Sequence, residues 1–143
     1  MAHIKREHMQ IIDSIDSYEA AITHAAQPLV DDGLITHEYI DQMLQSIVDH
    51  GTYIVLTDYF ALPHARPSDA VKENALSLLV VREGVDLIGN DIRLFIVLAA
   101  KDSTTHMETL QSLAEFLMNK QNIYDVIEAK DTKTIEQILE ERW

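Results

Sequence analysis

Residues 92–100, Ile92-Arg-Leu-Phe-Ile-Val-Leu-Ala-Ala100, are apolar at every position but Arg93. A strand with one face in water alternates apolar and polar residues; an almost unbroken apolar strand must be covered on both faces. Helices supply that cover when they flank the strand-forming part of a chain, and this sequence has helical patterns before and after its strand-rich middle. The expectation is a layered α/β domain, residues 1–143, with helices packed on the sheet.

The helical patterns are specific. Ser17 is placed to cap a helix through residues 18–30, with Ile22, Ala25, Ala26, Leu29 and Val30 on one side and Gly33 to end it. Pro28 inside it predicts a kink or an early break. Thr36 is placed to cap a second helix that Gly51 closes, with Tyr39, Ile40, Met43, Leu44 and Ile47 toward the core. Tyr53-Ile-Val-Leu56 and residues 75–81 read as further strands, 58–69 as a loop, and Gly84 and Gly89-Asn90 as turns. Ser103-Thr-Thr105 offers N-caps for a helix running through Met118. Shorter helices are expected over about 123–129 and 132–141.

Charge narrows the function. The chain has 11 Lys and Arg against 24 Asp and Glu, a formal net charge of -13. That argues against nucleic-acid binding, which replaces phosphate counterions with basic side chains, and against docking on anionic lipid. It suits a basic protein partner, and it equally serves solubility. There is no cysteine, so thiol nucleophiles, disulfides and cysteine-held zinc are excluded, in keeping with a reducing compartment. Residues 1–9 carry no apolar segment of signal-peptide type. The longest apolar run, 94–100, is far short of the roughly 20 residues that span a bilayer. A cytoplasmic protein without membrane insertion is the expectation.

The chemistry concentrates at Phe60-Ala-Leu-Pro-His-Ala-Arg-Pro67. Pro63 and Pro67 stiffen the loop around His64. A neutral imidazole, with its unperturbed pKa of about 6.5, offers a free lone pair near neutral pH and attacks phosphorus without a general base. His106 follows the apolar strand and falls in the first turn of the next helix, where an anion is favoured. Adjacent strand ends would place it beside His64. Arg66 can fork onto phosphate oxygens. Against these stand plainer readings: a turn histidine, a solvated helix residue and a surface charge. The remaining histidines, His3, His8, His24, His37 and His50, show no metal-ligand spacing and read as surface residues, so no metal is expected.

Ala61-Leu-Pro-His-Ala65 resembles the phosphorylation-site motif of the mannitol/fructose-type enzyme IIA family of the bacterial sugar phosphotransferase system. The likeness extends from about residue 17 to 117. Ala25-Ala-Gln-Pro-Leu-Val30, Gly33-Leu-Ile-Thr36 and Tyr39-Ile-Asp-Gln-Met43 look like the family's N-terminal helical region. Ala99-Ala-Lys-Asp102, His106 and Leu110-Gln-Ser-Leu-Ala-Glu115 look like its second-histidine region. His64-Ala-Arg-Pro67 is most similar to the ascorbate-type branch. The resemblance implies a mixed β-sheet flanked by helices. It implies that His64 is phosphorylated on Nε2, with His106 helping to hold the group. Phosphorylated HPr is the implied donor and a cysteine of enzyme IIB the implied acceptor, with the membrane IIC component reached only indirectly. No cofactor is implied, and the chain has no Walker-type glycine loop.

The sequence also departs from the family. Thr57, Tyr59 and Phe60 stand where glycines and a small aliphatic residue are common. Ser46 stands where mannitol-type members carry an arginine, and Arg66 is the expected substitute. Two rival readings are open: a regulatory IIA-like phosphoprotein uncoupled from sugar uptake, and a metal-dependent hydrolase built on His64, His106 and Asp102.

Overall fold

A computed structural model describes residues 4–143. Over these residues a five-stranded mixed sheet runs in the order β1-β4-β5-β3-β2. The strands are β1 (Met9–Ile12), β2 (Val55–Thr57), β3 (Tyr59–Ala61), β4 (Ala75–Leu87) and β5 (Asn90–Ala99). Strand β4 pairs antiparallel with β5, while β1 joins β4 and β3 joins β5 in parallel. The nearly all-apolar character of residues 92–100 is answered by two separate cores. Leu79, Val81, Phe95 and Val97 pack with helices α1 (Tyr18–Asp31) and α2 (His37–His50). Their strand neighbours Leu78, Val80, Leu94 and Ile96 pack with α3 (Ser103–Leu117), α4 (Lys120–Ile127) and α5 (Thr132–Arg142). Each large apolar side chain buried in these layers contributes about 1.5–3 kcal/mol.

Several local expectations are corrected. Pro28 neither breaks nor ends α1, which continues to Asp31. The missing proline N–H frees the His24 carbonyl, and Gln10 Nε2 of β1 donates to it at 2.8 Å. Thr36 has the extended backbone of an N-cap but makes no side-chain cap bond; its hydroxyl is buried without a partner. Asp102, rather than any of residues 103–105, caps α3. Residues 59–61 form β3 inside the stretch read as loop, and β1 was not anticipated. Gly84 is a bulge within β4 rather than a turn. Its φ is +77°, and a Cβ there would lie 2.0 Å from Asp91 Oδ1. Helix α4 begins at Lys120, three residues earlier than the apolar pattern suggested, because Asn119 caps it. Among the described residues no helix is long and apolar enough to cross a membrane.

Candidate functional site

Parallel pairing of β3 with β5 sends both strands out of the sheet at the same edge. The chain after β3 stays beside β5: Leu98 N–H donates to the Pro63 carbonyl at 3.0 Å, and His64 bridges to Leu98. Strand β5 then leads through Asp102 into α3, whose first turn carries His106. The His64 and His106 rings come to lie 5.2 Å apart, centroid to centroid, inclined by 60°. The adjacency expected of the two strand ends is therefore present.

The His64 ring is fixed by its own loop. Its Nδ1 lies 2.7 Å from the Leu62 carbonyl oxygen. A carbonyl can only accept, so Nδ1 carries the proton and donates, and Nε2 keeps its lone pair. Nε2 has no hydrogen-bond partner among the described residues. Burial holds the His64 pKa below the ordinary histidine value; the Leu62 bond opposes this and the neighbouring His106 adds to it. Burial also lowers the His106 pKa, and His106 Nδ1 is buried without a partner. A buried polar nitrogen left in this way costs on the order of 1–3 kcal/mol until something bonds to it.

The two histidines open onto a cleft of about 1100 Å³. Arg66, Gln42, Ser46, His50, Tyr53 and Ser103 share its wall, and no acidic side chain is among its lining residues. In a chain with 24 carboxylates that is a local exception, and it favours an anion. Arg66 is exposed and forms no ion pair among the described residues, which leaves its guanidinium available to the cleft. The start of α3 contributes less than the sequence suggested. Asp102 Oδ1 accepts from Thr105 N–H at 2.7 Å, so a carboxylate already occupies part of the helix N-terminus. Among the described residues, His64, His106 and Asp102 do not bring three ligand atoms within 4.8 Å of one another.

Tyr39 and Tyr53 were missed at this site. Tyr39 was read as a core residue, and it is fully buried, but its hydroxyl donates to the Leu98 carbonyl at 2.6 Å and accepts from Ala65 N–H at 3.1 Å. Burial pushes its pKa up to about 12. Tyr53, read as the start of a strand, precedes β2; its phenol donates to the His64 carbonyl and its ring meets the imidazole edge-on at 5.1 Å. For Tyr39 the available signal is chemical: a phenol buried among apolar side chains needs a partner.

The other histidines divide. His24, His37 and His50 are exposed, as expected, and His3 lies outside the described residues. His8 is a correction: it is buried, and its Nε2 lies 2.6 Å from Asp32 Oδ2. With Glu7, these donors lie within 4.8 Å of one another, a proximity that sequence spacing could not show. Of the residues flanking the motif, Phe60 is core, whereas Tyr59 is half-exposed at φ +65° with Arg93 5.6 Å above its ring.

Comparison with known proteins follows the same line. Residues 2–142 match the family described as phosphoenolpyruvate-dependent sugar phosphotransferase system, EIIA 2. The chain is 30% identical over 133 residues to the mannitol-specific cryptic phosphotransferase enzyme IIA component of Escherichia coli K12, covering 92% of this chain and 90% of that protein. It is 27% identical over 144 residues to the ascorbate-specific EIIA component of Mycoplasma pneumoniae, covering 97% and 90%. The solution structure of the mannitol-specific cryptic enzyme IIA from Escherichia coli superposes with a TM-score of 0.89 at 28% identity, over 97% of this chain and 96% of that one.

Proposed function

The chain belongs to the phosphoenolpyruvate-dependent sugar phosphotransferase system EIIA 2 family, the enzyme IIA components of sugar uptake, and on that premise we propose that His64 is its phosphoryl carrier. The observation that carries this reading is the fixed tautomer: Nδ1–H is bound to the Leu62 carbonyl and Nε2 is left free beside a cleft lined by no carboxylate.

The mechanism is in-line displacement at phosphorus. The Nε2 lone pair of His64 forms the new N–P bond as the N–P bond of phosphorylated HPr breaks, and the electron pair returns to the HPr imidazole. Arg66 and His106 stabilise the phosphoryl oxygens, Arg66 in place of the arginine that mannitol-type members carry at the Ser46 position. A thiolate of enzyme IIB then forms an S–P bond and the pair returns to Nε2. Positioning and charge supply the catalysis; no metal or nucleotide takes part. In this reading residues 1–143 act as one carrier domain in the cytoplasm, between HPr and IIB, and reach the membrane IIC component only through IIB. The stretch His64-Ala-Arg-Pro67 favours an ascorbate-type system.

The test is incubation of the purified protein with enzyme I, HPr and phosphoenolpyruvate, followed by intact mass. Gain of one acid-labile phosphoryl group by the wild type and none by His64→Gln is the expected result. A folded wild type that gains none would overturn the carrier reading. Acceptance without onward transfer to any IIB would turn it toward the regulatory alternative. Loss of Arg66 in Arg66→Ala should slow transfer about tenfold or more, and unchanged rates would remove it from the site.

A further inference from the structure

Resting on the reading of His64 as phosphoryl carrier, we propose that Tyr39 and Tyr53 are positioning residues whose two hydroxyls hold opposite edges of the His64–Ala65 peptide and so set the line of attack of Nε2. The peptide unit is planar, with its C=O and N–H on opposite sides. Tyr53 donates to the C=O, at His64 O, and Tyr39 accepts from the N–H, at Ala65 N. Fixing both edges removes rotation of the plane about the chain, and with it the swing of the His64 Cα–Cβ bond. The neighbouring groups are also taken: Pro63 O by Leu98 N–H, and Leu62 O by the His64 ring.

Tyr39 does more than fill space. A phenylalanine would fill the same buried volume without a hydroxyl to satisfy. That hydroxyl reaches two segments at once, the loop carrying His64 and the end of β5 at Leu98, from which the chain runs to His106. It therefore spans the gap that fixes the 5.2 Å ring separation. Tyr53 is more than a third exposed, so its bond adds little to folding stability; its place is against the imidazole, which it meets edge-on. Ser46, at the position of the family's arginine, lies beside its phenol.

The experiment compares wild type, Tyr39→Phe, Tyr53→Phe and the double variant. Phosphorylation rates are measured across donor concentrations, and ¹⁵N NMR reads the His64 tautomer with no donor present. The expected result is a fall in maximal rate of about tenfold or more in each single variant, since small misplacements of reacting atoms have large kinetic effects. KM for phosphorylated HPr should stay within about twofold, because each substitution removes only a hydroxyl that is turned to the His64–Ala65 peptide and leaves the ring in place. In the double variant the His64 ¹⁵N shifts should move from the Nδ1–H form toward a mixture. Tyr39→Phe strands Ala65 N–H and Leu98 C=O; should it fail to fold, the exposed Tyr53→Phe still decides. Folded variants with wild-type maximal rates and an unmoved tautomer would overturn the proposal, as would a change in KM alone. A wild type that takes no phosphoryl group would count against the carrier reading instead, and the donor-free NMR comparison would still read the grip.

Discussion

At His64 everything turns on which ring nitrogen carries the proton and when the second one gains another. Burial holds the folded pKa below the ordinary value of about 6.5. Phosphorylation at saturating donor should therefore hold its rate as pH falls to 6.5 and decline only below it, which a rate profile from pH 5 to 8 will check. The sign for folding follows from the same shift. As pH falls through about 6.5 the unfolded chain binds protons at positions 64 and 106 before the folded one does, so stability is full above that value and is lost below it. The urea midpoint should be lower at pH 5.5 than at 7.5, with a smaller difference in a His64→Gln, His106→Gln double variant. Tyr59 raises a separate question of backbone strain. Any residue with a Cβ is disfavoured at its φ of +65°, so Tyr59→Gly should be more stable than Tyr59→Ala by about 1 kcal/mol in urea melts. Residue type and local context single out both histidines as candidates and the family resemblance supplies their expected roles, while the fold adds that the two rings are neighbours. The two tyrosines were not legible, since their partners are backbone groups at residues 64, 65 and 98, which only the fold brings within reach.

Among the elements, those with long patterns were read well: α2 and β5 have the expected faces and nearly the expected ends. The short ones were not. Strand β1 is four residues long, and β3 is three residues lying between polar breakers; each exists because a longer partner, β4 or β5, supplies its hydrogen bonds. Helix α1 shows how such a distant partner overrides a local rule. Proline at position 28 leaves the His24 carbonyl free, and Gln10 reaches across from β1 to occupy it. Gln10→Ala should then destabilise the fold by about 0.5–1 kcal/mol, and less in a Pro28→Ala background, where a backbone N–H is restored. A double-mutant cycle in urea measures that coupling; equal losses in both backgrounds would show that the contribution of Gln10 does not depend on the carbonyl that Pro28 leaves free.

At the scale of the whole molecule, a net charge of -13 on 143 residues sets the surface against itself. Screening should relieve this, so the thermal midpoint should rise between 20 mM and 500 mM salt. The cleft, lined by no carboxylate, is a part of the described surface that departs from this charge. The parallel contact of β3 with β5 also orders events in time. Strands β4 and β5 meet through a tight turn at Ile88 and Gly89, a local closure. Residue 60 must instead find residue 94 across the intervening hairpin. Distant closures of this kind form late, because their loop entropy must be overcome first. The His64–His106 pair should therefore form later in folding than the β4–β5 hairpin, and under the proposed carrier role a chain halted before that closure would lack the site.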